Sequence, residues 1–454
     1  MIRSVKMLRS RRGARALAGA LLAVTVPAAG VAVAAPASSV PGPDRPAAGS
    51  VAGPVDADPQ DLLAVELDEA VTDAKRIQDA RNATGPRTRG ARPGASSAEV
   101  TEALDDAVAA VVEDGALGAT ARVEAPGVDW AGAAGLRELG QARRATTHDR
   151  FRVASNTKTM IATLAMQEVE RGAWTLDTTV QEVLPGVLPA EVGRVVTIEQ
   201  LMSHRSGAPS RHVQQMIADR MADPESWSDF VDALEQRYTI SDHLATINAL
   251  PWEFEPGTDG SYSNAGYVLL GLMLEEQTGW PLDTLLRFRV FLPAGMWHAS
   301  YPTEPGVRGP FMVGTVYAGD VGWWSLDEFD PMMFAAAGAA TGTTRDLNRL
   351  NEALFSGRLV APDTVEDMLT PRGTLFGGTI EYGLGVYRVP DPCAEGEYLY
   401  GHDGGAFGTV SVNWSSLDGE RQITLGVNAR DVTGGETPAY DLGELLTPML
   451  LATC

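Results

Sequence analysis

The chain contains 33 arginines and three lysines, and the last lysine, Lys158, stands three residues after a serine in Ser155-Asn156-Thr157-Lys158. After Lys75 every other lysine-or-arginine position is arginine. Arginine is never deprotonated in proteins, whereas a buried lysine can lose its proton and serve as a base. A serine hydroxyl is a poor nucleophile until a neighbouring base takes that proton. Positions i and i+3 on a helix share a face, so Lys158 reaches Ser155 if a helix starts here. At that helix N-terminus, free N–H groups favour developing negative charge. At ordinary residue frequencies roughly two Ser-x-x-Lys pairs arise by chance in a chain this long, so the tetrad needs company.

It has two companions, Tyr262-Ser263-Asn264 and His402-Asp403-Gly404. Either Lys158 or the Tyr262 phenolate can be the base, the phenol needing its pKa of about 10 lowered by the adjacent ammonium. The Asn264 amide can donate and accept toward a substrate amide. The bland alternatives are a helix cap for Asn264, an aromatic plug for Tyr262 and a structural role for His402. Period-2 alternation sends His402 and Asp403 to opposite faces of a strand, while Gly404 and Gly405 permit close backbone approach by a substrate. Gly401–Gly408 is not a phosphate loop, because an acidic residue lies in it and no helix follows.

The three motifs come in order within Arg150-Phe-Arg-Val-Ala-Ser155, Gly260-Ser-Tyr-Ser-Asn264 and Tyr400-Gly-His-Asp-Gly404, with Leu201-Met-Ser-His-Arg-Ser-Gly207 between the first two. Over residues 97–454 the chain resembles the serine β-lactamase and penicillin-binding superfamily, and within it class C β-lactamases and secreted D-alanyl-D-alanine carboxypeptidases. The resemblance implies an acyl-enzyme on Ser155 and an oxyanion hole from the N–H groups of Ser155 and Gly405. It further implies β-lactams as acylating ligands, peptidoglycan peptides or small amides and esters as substrates, and no metal or organic cofactor. Two departures bear on specificity. Tyr387 stands where such carboxypeptidases place an arginine for the substrate carboxylate, with Arg388 one step on and so on the opposite strand face. Gly405 stands where a hydroxyl residue is usual. His402 could hold a carboxylate only when protonated, near its ordinary pKa of about 6.5. Strict carboxypeptidase action is therefore in doubt, and β-lactamase, esterase and D-aminopeptidase activities stay open. A catalytically silent peptidoglycan-binding protein is the rival of a different class. An α/β-hydrolase is excluded by the lack of any Gly-x-Ser-x-Gly.

The rest of the sequence must export and position this machinery. Basic residues up to Arg15, an apolar run over 16–35 and Ala32-Val33-Ala34 read as a cleaved signal peptide, with an uncleaved membrane anchor as the alternative. The formal charge of −23 opposes binding to nucleic acid or anionic membranes. In an oxidising compartment Cys393 and Cys454, the only cysteines, make sense as one disulfide rather than two separate thiols. The secreted carboxypeptidases resemble the chain here too. Residues 36–96 read as a linker or propeptide, in which Leu62, Leu63, Val65, Leu67, Val71, Ala74 and Ile77 can line a helix. The domain proper is expected from Ser97, which caps a helix to about Glu113. Strand patterns at 119–134, 382–389, 398–401, 408–414 and 422–428 enclose mostly helical patterns at 175–345. The expected fold is therefore α/β, an antiparallel sheet built from both chain ends and flanked by helices, with a helical inserted sub-domain.

Overall fold

The computed structural model describes residues 54, 59–84, 97–307, 309–378, 380–433 and 440–454, so the expected leader over 1–35 lies outside the described residues. Two helices come first, α1 (Pro59–Thr84) and α2 (Ser97–Glu113). Leu63, Leu67, Ala70, Val71 and Ala74 make one buried stripe along α1, while the side chains of Leu62 and Val65 lie outside what is described. That stripe belongs to the same apolar cluster as the sheet and α2. The ordered body thus extends upstream of Ser97. An apolar stripe beside an apolar sheet face leaves water at about 25 cal/mol per Å².

The strands β1 (Gly118–Ala125) and β2 (Val128–Gly135) form a hairpin around Gly127, whose φ of +84° suits glycine. The helices α3 (Asn156–Glu170), α4 (Asn264–Thr278) and α5 (Thr344–Phe355) follow, separated by shorter ones. Then come β3 (Gly373–Leu375), β4 (Ile380–Tyr382), β5 (Tyr387–Pro390), β6 (Tyr398–Ala406), β7 (Thr409–Ser415) and β8 (Gln422–Val427), and last α6 (Leu442–Ala452). They assemble one antiparallel sheet in the order β2-β1-β8-β7-β6-β5-β4-β3. Ala119 opposite Val427 is where the two chain ends meet. The helices α1, α2 and α6 pack on one face, and α3 and α5 on the other. The insertion is mostly helical, but it also holds the hairpin Thr315–Ala318/Gly322–Ser325, to which Arg430–Asp431 adds in parallel.

Two local expectations change. The apolar run from Tyr382 to Val389 is not one strand, because Gly383–Gly385 turn it back. The Gly383 N–H donates to the Val386 carbonyl, and Gly385 has φ +75°. A Cβ on Gly383 would sit 2.1 Å from the Met368 carbonyl oxygen, so the turn needs glycine. The strand of the third motif is also longer than its 398–401 pattern and runs on to Ala406. Its pairing with β5 ends at Gly401–Tyr387, while its pairing with β7 continues to Ala406–Thr409. Residues 402–406 therefore form a lip beyond the end of β5, and Gly404 of that lip lies against Val153 and Ala154, just ahead of α3.

Candidate active site

Ser155 is the N-cap of α3, with φ −64° and ψ −11°, yet its side chain makes no capping bond. A serine here ordinarily spends its oxygen on the helix N–H groups. This one lies 3.0 Å from Lys158 Nζ instead. The preceding Ala154 has φ +45°, a left-handed conformation that costs a non-glycine residue about 1–2 kcal/mol. Its surroundings hold it there. Val153 N–H donates to the Ala340 carbonyl, and Val153 O accepts from Ser411 Oγ at 2.9 Å and Asn156 Nδ2 at 3.3 Å. Asn156 Nδ2 also donates to Ser411 Oγ at 2.9 Å.

Lys158 is fully buried. Its ammonium meets Ser155 Oγ at 3.0 Å, Asn264 Oδ1 at 2.7 Å and the Ala337 carbonyl at 3.0 Å. The rings of Tyr262 and Tyr267 lie 4.7 and 5.5 Å away, close enough for cation–π attraction. Two of the three acceptors cannot give up a proton to the lysine, while Ser155 can. A neutral lysine held by the other two would therefore present its lone pair to the serine hydroxyl. Asn264 is the first residue of α4, whose N-cap is Ser263, so it is not the cap. Its oxygen holds the lysine, so its NH₂ is turned away from that contact.

Tyr262 stands half-buried between His204, at 4.3 Å between ring centres, and Phe376, at 5.5 Å. Its neighbour Ser263 is fixed twice, by N–H donation to His204 Nδ1 at 3.1 Å and by Oγ donation to the Pro209 carbonyl at 3.0 Å. Burial first, then the charge of Lys158, hold His204 well below the ordinary histidine pKa. It stays neutral, as an acceptor toward Ser263 must. Its φ of +59° is a left-handed conformation uncommon outside glycine. In the sequence Leu201–Gly207 is context only, and nothing there assigns His204 a role.

His402 departs most from expectation. Its Nδ1 lies 2.6 Å from the Asp403 carbonyl oxygen and its Nε2 lies 2.8 Å from the Tyr382 hydroxyl. A carbonyl can only accept, so Nδ1 carries the proton, and in the neutral ring Nε2 accepts from Tyr382. Burial, with the Lys158 charge second, lowers the His402 pKa to about 3. That direction weighs against a His402 that gains charge near pH 6.5, the form in which it was expected to hold a carboxylate. Asp403 faces away as alternation requires, its cross-strand partner Val412 lying in the core beneath α1 and α2.

Gly404 lies tightly against the chain itself. A Cβ there would lie 2.5 Å from Val153 O and 2.7 Å from Ser411 Oγ. The close approach it permits here is that of the chain's own turn before Ser155. Gly405 is the next residue on the same lip, paired with Val410 of β7. Tyr387 is buried on the α1 face, where its hydroxyl accepts from Trp414 Nε1 at 2.9 Å. Arg388 is committed to Glu381 at 2.8 Å and lies 3.8 Å over the Tyr398 ring. Neither is offered to a substrate carboxylate. At the far end, Cys393 and Cys454 are joined in a disulfide. Among the described residues no three His, Cys, Asp or Glu side chains gather as metal ligands, and no helix is long and apolar enough to cross a membrane.

The family model for beta-lactamase matches residues 80–427. The chain belongs to that family, whose members are serine hydrolases. It is 34% identical over 192 residues to penicillin-binding protein 4 of Amycolatopsis lactamdurans, covering 42% of this chain and 45% of that one. It is 28% identical to penicillin-binding protein 4* of Bacillus subtilis, over 60% and 59% of the two chains. The matches thus span about half the length of these curated relatives. Among solved structures, a D-stereospecific amidohydrolase from a Streptomyces species superposes with a TM-score of 0.64 at 28% identity, over 74% of this chain and 96% of that one. The D-amino acid amidase of Ochrobactrum anthropi SV3 gives 0.66 at 24% identity, over 78% and 97%, and shares the fold.

Proposed function

We propose that this chain hydrolyses D-aminoacyl amides, esters and D-alanyl-D-alanine peptides through an acyl-enzyme on Ser155, without requiring a free C-terminal carboxylate. The observation that carries this reading is the buried Lys158 ammonium shared by Ser155, Asn264 and Ala337. In the acylation step, neutral Lys158 takes the Ser155 proton as Oγ adds to the substrate carbonyl. The oxyanion is held by the N–H groups of Ser155 and Gly405, each such donor typically worth ~3–4 kcal/mol. Tyr262 delivers a proton to the leaving amine or alcohol as its bond to the acyl carbon breaks, and is reprotonated from Lys158. Water then attacks the ester by the reverse relay. His402, neutral and hydrogen-bonded at both nitrogens, forms an uncharged wall at the leaving-group side. The carboxylate partner of strict carboxypeptidases is missing. The similarity to the Streptomyces D-stereospecific amidohydrolase supports the same substrate class. Export fits the basic-apolar leader and the disulfide, and places peptidoglycan peptides within reach.

The test pairs intact mass spectrometry with kinetics. Benzylpenicillin should add its mass to the parent chain and not to Ser155→Ala, and prompt release of the adduct would favour β-lactamase action. An acyl-D-Ala-D-Ala acid should not exceed its amide or methyl ester in kcat/KM by more than tenfold. A larger preference for the acid at all pH values from 5 to 8 would show that some other cation binds the carboxylate. No covalent adduct with any of these compounds would leave a silent binding protein.

A further inference from the structure

A second cleft, of about 140 Å³, opens on the far part of α4. It is walled by Ile240, Val268, Leu272, Leu282 and Met332, and at its back by Ala335 and Ala336. Gly271 and Glu275, which line it, are seven and eleven residues beyond Asn264, or roughly 10 and 16 Å along the helix axis. It is not the Ser155 site. Three polar groups face this apolar volume. Tyr301 is only 8% exposed, and its hydroxyl has no hydrogen-bond partner among the described residues. Burial, with Glu275 and Asp283 next, holds its phenol protonated. Glu275 uses one carboxylate oxygen to accept from Leu282 N–H at 2.8 Å, and Asp283 uses one to accept from Thr284 N–H at 2.7 Å. Each retains a second oxygen. Arg237, which reaches the Thr303 carbonyl at the rim, is already paired with Glu304.

The Tyr301 hydroxyl, open to the cleft and without a protein partner, is free to pair with a polar ligand atom, and two carboxylates lining the same cleft favour a cation. A cleft of about 140 Å³ has room for a benzene-sized group. We propose that this cleft binds a small organic ammonium with an apolar body of about one ring, its nitrogen donating to Glu275, Asp283 and Tyr301. The back wall gives the site a route to the catalytic centre. Ala335 has φ +42°, and Ala337, two residues on, supplies the carbonyl that holds Lys158. A Cβ on Gly271 would come 2.5 Å from Ala336 Cβ, so the strained turn rests directly on α4.

Titration calorimetry of the full chain with benzylammonium chloride, and with sodium phenylacetate at equal ionic strength, tests the site. One saturable event is expected with the cation and none with the anion. Glu275→Gln, which keeps the acceptor for Leu282, should weaken binding about tenfold, the loss of one charge-assisted hydrogen bond. Tyr301→Phe should weaken it severalfold. The melting midpoints of both variants report whether the fold is kept. Absence of a saturable event in the parent chain, equal binding of phenylacetate, or unchanged affinity in a folded Glu275→Gln would each overturn the proposal. Because the readout is binding and not turnover, it stands or falls independently of the hydrolase reading.

Discussion

The Tyr382 hydroxyl donates to His402 Nε2 across 2.8 Å, and this bond fixes the tautomer of a ring whose other nitrogen donates to its own strand. A position that reads as basic is kept neutral by burial and by the Lys158 charge. Tyr382→Phe leaves that nitrogen buried without a donor, which costs about 1–3 kcal/mol. Denaturant unfolding should register the loss. The kcat/KM profile of the parent chain should carry no inflection from His402 between pH 5 and 8. An inflection near 6.5 that disappears in His402→Gln would sink this assignment.

Lys158→Arg should keep the positive charge and abolish the base, since the guanidinium does not deprotonate. Penicillin acylation of Ser155 is expected to fall by about 10²- to 10⁴-fold. Stopped-flow or quenched mass spectrometry reads the rate, and a melting curve separates misfolding from lost chemistry. Acylation within tenfold of the parent would move the base role to Tyr262.

Acid should destabilise the fold earlier than its carboxylates alone would require. His402 has a folded pKa of about 3 against roughly 6.5 unfolded. His204 and His212 are shifted in the same direction by burial. Below pH 6.5 the unfolded chain binds protons that the folded chain refuses, so stability falls as pH drops toward 3. Each such histidine contributes up to ~1.4 kcal/mol per pH unit. Unfolding midpoints at pH 7.5 and 5.0 should differ in that sense, with a smaller difference in His402→Gln. Equal pH dependence in parent and variant would mean that His402 titrates normally.

The Cys393–Cys454 bond closes a loop of about 60 residues, for which the chain-entropy model gives about 4 kcal/mol. Non-reducing peptide mapping should recover the two cysteines as one species. Cys454→Ser should lower stability on that scale while leaving acylation of Ser155 intact, because the bond lies at the back of the body.

The parts of this site that are legible in the sequence are the local ones. Ser155 and Lys158 are one helical turn apart, and Tyr262 and Asn264 are two residues apart, so spacing alone relates them. His204, Tyr382 and the Ala337 carbonyl lie 59, 20 and 179 residues from the groups they hold, and no periodicity encodes such contacts. The charge of His402 is illegible for the same reason, since its pKa is set by burial among side chains from other segments. Tyr382–Val389 reads as one strand because Gly383 and Gly385 are few among apolar neighbours. The helical character of 59–84 is readable from its apolar spacing. Its membership in the body is not, because that depends on a sheet face assembled from the far end of the chain.

The match to the family begins at residue 80 and stops at 427, which excludes the apolar stripe of α1 and all of α6. A fragment cut at those limits would lose two of the three helices on the back of the sheet. Val412, Trp414, Ile423 and Leu425, all now buried, would then face solvent, at about 1.5–3 kcal/mol for each large side chain. A contiguous apolar face of that kind drives aggregation. For recombinant production, the useful limits are therefore set by the helices: the boundary upstream must fall before Pro59, and the downstream one must keep Cys454.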